Sequence, residues 1–580
     1  MFFFYSIGII FISEFWTREV FIMAWYDEAV FYHIYPLGLT GAETINEYKE
    51  PVSRLKEVFP WISHIKEIGC NAIYIGPLFE SVGHGYETTD YKKLDSRLGT
   101  NKDLTDFVAK CHKEGIRVIL DGVFNHTGRD FFAFQDIKKN RENSRYKDWY
   151  CNVNFCGNNE YNDGFSYENW GGYDLLVKLN QHNPEVKEYI CDVIRFWVSE
   201  FDIDGIRLDA ADVLDFSYMQ ALRAVANEVK QDFWLMGEVI HGDYNRWVNE
   251  GTLHSVTNYQ LHKALYSGHN DHNYFEIAHT VKRLYELGGN RPDGLKLYNF
   301  VDNHDVERIY TKLTNKNHFA PVHVLMYTLP GIPSVYYGSE FGIEGRKEKY
   351  SDASLRPALK LADYKDAVKN NPCTSLIATL GKIRQNTAAL SYGDYKELML
   401  TNRQYVFARR YGDDNVIVAV NNDDNDFTVT VSDGGVSEYV GMLTGNTYKA
   451  ENGNVTFTVG SNYGDILVPK TGEPKKVKPV TFEVKKEEPK KQEPKKAGAE
   501  KKESKKAETP KTEVKAEQKT QTNKEVKVDM NKPYEEMTVE ELQAVVLSKL
   551  AANGPVTEQM RKDVSDNVYH DSLVNWAKSF

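Results

Sequence analysis

The sequence predicts an α/β fold: a (β/α)8 TIM barrel with a loop subdomain inserted after its third strand. A C-terminal antiparallel β-sandwich, a disordered linker and a small helical tail follow it. Three observations carry this reading. Eight short apolar runs between positions 29 and 337 alternate with amphipathic stretches of about 10–15 residues, which is the pattern of parallel βα units. One connection, from Asn125 to Gly172, runs for about 50 residues, too long for a structureless link inside a compact domain. After about residue 390 the pattern changes to short alternating strands separated by Gly, Asn and Asp.

Residues 1–25 read as a hydrophobic N-terminal extension. The apolar run 2–12 resembles the core of a signal peptide, but the first basic residue, Arg18, follows it and no small-x-small site is present. At 11 residues it is too short to cross a bilayer as a helix. Met23 stands just before the first good strand, so an upstream extension is favoured over a membrane anchor or signal.

The barrel occupies residues 26–390. Strands are expected at 29–35 (AVFYHIY), 71–75 (NAIYI) and 117–121 (RVILD), with helices at 54–68 and 104–114 between them. Further strands at 205–208, 233–236, 255–258, 297–301 and 334–337 complete the eight that close such a barrel. The insertion, about 126–172, follows the third strand and therefore lies at the C-terminal face, where barrels carry their chemistry. The sandwich takes 391–470, with strands at 405–411, 416–421, 427–431, 455–459 and 465–468. Residues 471–530 are Lys, Glu, Pro, Ala and Thr with few large apolar side chains, so they read as a disordered linker. In 531–580 a two-helix module is expected. Thr538 and Glu541 form a capping box, Asn553-Gly554-Pro555 ends the first helix, and a second runs from Thr557 towards Trp576. It reads either as a docking module for a partner or cell-envelope polymer, or as a plain helical end.

Composition bounds the function classes. With 41% hydrophobic and 27% charged residues the chain is neither a polytopic membrane protein nor wholly disordered. The linker holds 18 Lys against 12 Asp or Glu, so the rest of the chain carries −18 of the net −12. An acidic folded part argues against a nucleic-acid partner. Aromatics at 13% fit sugar binding and core packing equally well. The six cysteines, at 70, 111, 151, 156, 191 and 373, show no metal-type CxxC. Several sit in apolar contexts, which points to a reducing, cytoplasmic compartment. The apolar start keeps a secreted or membrane-anchored protein as the alternative.

Three acids fall at the ends of expected strands: Asp209 after GIRL, Glu238 after FWLMG and Asp305 in FVDNHD. One such acid is usually a helix cap or a salt-bridged loop residue. Three together, with His126, Arg207 and His304 nearby in the same pattern, suit glycosidic-bond cleavage. Retention needs a carboxylate nucleophile and a protonated carboxyl roughly 5–5.5 Å apart. Arg207, two residues before Asp209, shares its side of the strand and is expected to keep it ionised. Glu238 needs a raised pKa to donate a proton, and Asp305 adds charge that favours a cationic sugar.

The segments DGVFNH (121–126), GIRLDAAD (205–212), GEV (237–239) and FVDNHD (300–305) resemble, in order and spacing, the four signature regions of the alpha-amylase family. LVKLN (176–180), Gly76-Pro77-Leu78-Phe79, His84-Gly85-Tyr86 and TLPGIPSVYYGSEFG (328–342) extend the resemblance over roughly residues 27–470. The KLN string leans towards neopullulanases and cyclomaltodextrinases, although their usual N-terminal β-domain does not precede this barrel.

The resemblance implies Asp209 as nucleophile, Glu238 as general acid/base and Asp305 as transition-state stabiliser. Tyr86, His126, Arg207 and His304 would line the subsite beside the scissile bond. Arg356, in SLRP, would lie at the sugar's non-reducing end, and Asp121 would support the site. The implied partner is an α-glucan oligosaccharide or polysaccharide of the maltodextrin or starch type, cleaved at α-1,4 bonds. An α-glucosidase, a transglycosylase and a non-catalytic, membrane-anchored barrel are the alternatives. Glu87 stands where many relatives carry Asp, Asp212 where amylases often place Lys, Ile240 where the subgroup often has Trp, and Val177 where it usually has Pro. These departures bear on the subsites and so on the product. No cofactor is required. Calcium is a candidate ligand, because Asn125 resembles a calcium-binding position and Asn152, Asn154, Asn158, Asn159 and Asp163 offer oxygen donors.

Overall fold

The computed structural model describes residues 24–287, 295–349, 351–470, 532–534, 537–553 and 564. The expected N-terminal segment up to residue 23, the linker and the second tail helix lie outside the described residues.

The eight barrel strands are β1 (Phe31–Ile34), β2 (Ala72–Ile75), β3 (Arg117–Gly122), β4 (Gly205–Leu208), β5 (Trp234–Gly237), β6 (Ser255–Val256), β7 (Tyr298–Asn299) and β8 (Ile332–Tyr336). They pair in parallel, in the order β6-β5-β4-β3-β2-β1-β8-β7, and a parallel bridge between Thr257 and Tyr298 closes the ring. Every strand sits where an apolar run predicts one.

Strand periodicity sets what fills the barrel. Inward residues at the N-terminal end are apolar: Phe31, Ala72, Ile119, Trp234, Tyr298 and Ile332 pack together. Trp234 lies over Phe31 with ring centroids 5.1 Å apart. Gly205, its register partner, leaves it room, since a Cβ there would lie 2.5 Å from the Trp234 carbonyl oxygen. Trp25, which the sequence groups with the N-terminal extension, packs against Phe31 and Trp234 beneath this layer. Two residues further along the same strands the interior turns polar, with His33, Tyr74, Asp121 and Arg207 all buried. That switch places charge at the C-terminal mouth of an apolar barrel.

Helices cover the outside through their apolar stripes. Asn101–Lys113 buries Leu104, Phe107, Val108 and Cys111, and starts with a Thr100–Asp103 capping box. Pro184–Phe201 buries Val186, Ile190, Val193, Ile194 and Trp197 behind an Asn183 cap. The single helix expected at 54–68 divides into a 3-10 turn, Arg54–Val58, and an α-helix, Phe59–Glu67. Pro60 lies in the first turn of the second piece, where its missing N–H costs nothing.

The insertion holds the helix Phe132–Asn140 and a three-stranded sheet of His126–Gly128, Tyr173–Lys178 and Asn169–Trp170. Its sheet runs to Lys178, beyond the 172 expected from composition, because Leu176 and Lys178 pair back on Gly128 and His126.

The C-terminal part has eight antiparallel strands, not five: β9 (Lys396–Leu400), β10 (Gln404–Tyr411), β11 (Asp414–Asn421), β12 (Phe427–Ser432), β13 (Glu438–Gly441), β14 (Thr447–Glu451), β15 (Asn454–Val459) and β16 (Tyr463–Pro469). The three unexpected strands, β9, β13 and β14, are short and carry charge on partly exposed faces, so their alternation is weak. Their neighbours enclose Val406, Ile417, Val429, Phe457 and Leu467. Buried Arg409 ties this part to the barrel by donating to the Thr328 carbonyl at 2.7 Å.

The helix Val539–Asn553 stands in a separate unit. The Thr538 amide donates to Glu541 Oε2 at 2.7 Å and the Glu541 amide to Thr538 Oγ1 at 3.3 Å, so the capping box is formed. No helix among the described residues is long and apolar enough to cross a membrane.

Burial forces several histidines to fold neutral. It lowers His254, His262 and His269 to about 3, and His126 and His323 to about 4, from an ordinary 6.5. Their folded pKa values lie below the unfolded ones, and here the protonated form is the disfavoured one. Their cost is therefore absent above pH 6.5 and grows as pH falls towards 3–4, by about 1.4 kcal/mol per unit per histidine. Thermal melting at pH 7 and pH 5 is expected to show a clear drop in Tm at pH 5. Equal melting temperatures would contradict this.

Candidate active site

The C-terminal ends of β3, β4, β5 and β7 bring Asp121, Asp209, Glu238 and Asp305 to one mouth. Arg207, fully buried between them, binds three of these acids. Its Nη1 lies 2.8 and 2.9 Å from the two Asp121 oxygens and 2.9 Å from Asp209 Oδ1, and its Nη2 lies 2.8 Å from Glu238 Oε2. Alternation on β4 makes this possible, since Arg207 and Asp209 point to the same side. The Tyr74 hydroxyl donates to Asp121 at 2.7 Å, which leaves Asp121 no free face for substrate.

Asp305 has its own cations. His304 Nε2 lies 2.9 Å from Oδ2 and Arg356 Nη2 2.8 Å from Oδ1, while the Asn303 side chain accepts from the Asp305 amide at 2.8 Å. The Tyr86 hydroxyl hydrogen-bonds His304 Nε2, and its ring stacks on His304 at 5.8 Å. His126 Nε2 contacts the Tyr86 carbonyl oxygen at 3.1 Å, which fixes that tyrosine's backbone.

These contacts split the carboxyl pKa values. Burial pushes Asp209 well above the ordinary range. Arg207 opposes that, while Glu238, Asp121 and Asp305 add to it. Burial raises Asp121 as well, against Arg207. Burial would also raise Asp305, but His304 and Arg356 outweigh it and hold the group far below the ordinary range. The Arg207 guanidinium, expected from the sequence to keep Asp209 ionised, does lie 2.9 Å from its Oδ1 but is not its alone. One guanidinium is shared by three carboxylates, and burial raises the Asp209 pKa despite its contact with Arg207.

Asp209, Glu238, Asp305, Tyr86, His126 and Arg356 all line one cavity of about 400 Å3. Arg207 and His304 lie behind its wall, acting on the acids rather than facing the space. Asp212 and Ile240, two of the departures noted in the sequence, line it beside Glu238. Val177 is buried in the insertion sheet and does not reach it.

Sequence reasoning missed three polar groups. The Tyr259 hydroxyl donates to Glu238 Oε1 at 3.1 Å and receives from Asn303 Nδ2 at 3.1 Å. Asp352 pairs with Arg356 at 3.2 Å. Tyr259 follows the end of β6, so the strand-end rule that found the acids could have found it.

Asn125 is buried but does not present a cation site. Its Oδ1 accepts from Gln181 Nε2 at 3.0 Å, and its Nδ2 lies 3.3 Å from His126 Nδ1. In the insertion, the Asn154, Asn158 and Asn159 oxygens accept backbone amides, and Asp163 Oδ2 pairs with Arg129 at 2.6 Å. As arranged, these oxygens are engaged by N–H donors rather than left open to a cation, and no step below runs through a metal.

Residues 51–382 match the family model described as alpha amylase, catalytic domain, and residues 393–467 match the alpha-amylase C-terminal domain. A cyclomaltodextrinase of a Bacillus species is 31% identical over 424 residues, covering 69% of this chain and 74% of that one. Neopullulanase 2 of Thermoactinomyces vulgaris is 30% identical over 469 residues, covering 76% and 78%. Among solved structures, the native debranching enzyme of Nostoc punctiforme superposes with a TM-score of 0.66 at 27% identity, covering 76% of this chain and 98% of that one. Motifs, barrel, acid cluster and both domain matches agree: the chain belongs to the alpha-amylase family and is a glycosidase.

Proposed function

We propose that this glycosidase cleaves α-1,4-glucosidic bonds in maltodextrins or starch-type glucans with retention of configuration. The observation that carries the reading is the pair Asp209 and Glu238, held on two nitrogens of one buried guanidinium and facing one cavity, with Asp305 opposite. The names of the relatives, cyclomaltodextrinase and neopullulanase, support an α-glucan substrate.

Asp209 attacks the anomeric carbon while Glu238 protonates the glycosidic oxygen. The C–O electron pair leaves with that oxygen, and the sugar becomes an ester of Asp209. Water then attacks the same carbon, Glu238 takes its proton, and the ester bond breaks. A sugar hydroxyl replacing water gives transfer as a side reaction. Asp305, kept anionic by His304 and Arg356, faces the cationic sugar at each transition state. Asp209 attacks as the carboxylate, its Oδ1 held by Arg207 Nη1. Arg207 and Tyr259 each hold one oxygen of Glu238, which fixes the carboxyl at the cavity wall.

Free thiols at all six cysteines support a reducing compartment. Full-length protein is expected to release reducing ends from maltoheptaose and to leave dextran, joined by α-1,6 bonds, largely uncut. No cleavage of maltoheptaose, or equal cleavage of dextran, would overturn the substrate assignment.

A further inference from the structure

A groove of about 590 Å3 lies in the outer, helical layer of the barrel, between the helix Phe59–Glu67 and the stretch 359–368. Its volume falls in the roughly 300–1,000 Å3 range of small-ligand sites. None of its lining residues lines the cavity around Asp209, Glu238 and Asp305, so the reaction proposed above makes no use of it.

One wall is an aromatic stack. The rings of His64 and Phe341 have centroids 5.3 Å apart, and those of Phe341 and Tyr364 lie 3.8 Å apart at an interplanar angle of 10°. The stack is anchored at its inner end. His64 Nε2 lies 3.0 Å from Oε1 of the fully buried Glu340, which also accepts from the Tyr32 hydroxyl at 2.6 Å. Phe341 covers one face of the Tyr364 ring, and half-buried Tyr364 lines the groove, so its second face is the one left to that space. A ring already clamped on one face loses little freedom when a ligand packs on the other.

The rim is polar. Glu57, Glu67, Lys360, Lys365 and Asp366 stand exposed around the groove, and none of them forms an ion pair among the described residues. Lys56 and Lys66, which do not line it, pair with Asp103 and Glu114 at 3.1 and 3.2 Å. The uncommitted carboxylates accept hydrogen bonds and the ammonium groups donate them. Three acids against two lysines leave little net charge, which disfavours a strongly ionic ligand. An open ring face among donors and acceptors of both kinds suits a neutral, polyhydroxylated chain.

We infer that this groove is a second, non-catalytic binding site for an α-glucan chain, with Tyr364 as its stacking platform. The choice of ligand rests on the proposed function. A polymer engaged there stays on the enzyme while the acids act on another part of it, which raises the local concentration of cleavable bonds.

The test is retention of the full chain by amylopectin in native affinity electrophoresis, with Asp209→Asn in every protein so that the polymer is not cut. Tyr364→Ala and the surface pair Glu67→Ala/Lys360→Ala should each weaken retention by about three- to tenfold, the range of a lost stacking or hydrogen-bonding contact. Tyr364→Phe, which keeps the ring, should be retained like the parent. With Asp209 intact, the same substitutions should leave kcat/KM on the short substrate p-nitrophenyl α-maltoside within about twofold of wild type. No retention of the parent, retention unchanged in either weakened variant, or a parallel loss on the maltoside would overturn the inference. If the wild-type chain cuts neither the maltoside nor maltoheptaose, the proposed function falls, and amylopectin retention still decides the groove by the same outcomes.

Discussion

Asp209→Asn is expected to lower kcat on maltoheptaose by roughly 10⁴-fold or more, because a neutral amide cannot form the glycosyl ester on which both steps depend. The substitution is nearly isosteric. Arg207 keeps Asp121 at 2.8 Å and Glu238 at 2.8 Å, so two of its three carboxylates remain and the fold should survive. Removing one of the competing acids from a buried, acid-rich cluster should even ease the cost of burial that raises Asp209 itself. Loss of activity with an unchanged or higher melting temperature is therefore the expected pattern. Substantial activity in Asp209→Asn would mean that another group attacks the sugar. A leaving group that departs without a proton should not rescue this variant.

Glu238→Gln is expected to behave differently. Proton donation is worth roughly 10²–10⁴-fold, so hydrolysis of maltoheptaose should fall by that factor in each step that uses it. An α-glycosyl fluoride or p-nitrophenyl glycoside needs less help in the first step. Its first step should stay comparatively fast while the second, which needs a base for water, is slow. The glycosyl-enzyme should then accumulate, and intact-protein mass spectrometry would show an adduct of one glycosyl unit. The glutamine oxygen can replace Glu238 Oε2 as acceptor for Arg207, and its amide can donate to the Tyr259 hydroxyl, so the side chain keeps its place. Equal losses on maltoheptaose and on the activated substrates would argue against a proton-transfer role.

The barrel was legible because its strands are short apolar runs separated by amphipathic helices, and because parallel strands buried on both faces leave little ambiguity. The acids were legible for a related reason. Asp209, Glu238 and Asp305 are charged residues directly after apolar runs, where a barrel strand ends. What the sequence could not show is how charge is shared. Arg207 is two residues from Asp209, but its contacts with Asp121 and Glu238 join strands 86 and 31 positions apart, and only the closed ring brings them together. The three missed strands of the C-terminal part fail in another way. Strand β14, Thr447–Glu451, has charged and polar residues at most positions, so its pairing with β13 and β15 defines it more than its own pattern does.

The central claim is a double displacement through Asp209, and the configuration of the first product tests it most directly. Proton NMR during the first minutes of maltoheptaose cleavage, before mutarotation mixes the anomers, distinguishes the two outcomes. Two successive inversions at one carbon predict that the new reducing end appears first as the α-anomer. A first-formed β-anomer would mean a single displacement by water, and Asp209 could not then be the nucleophile.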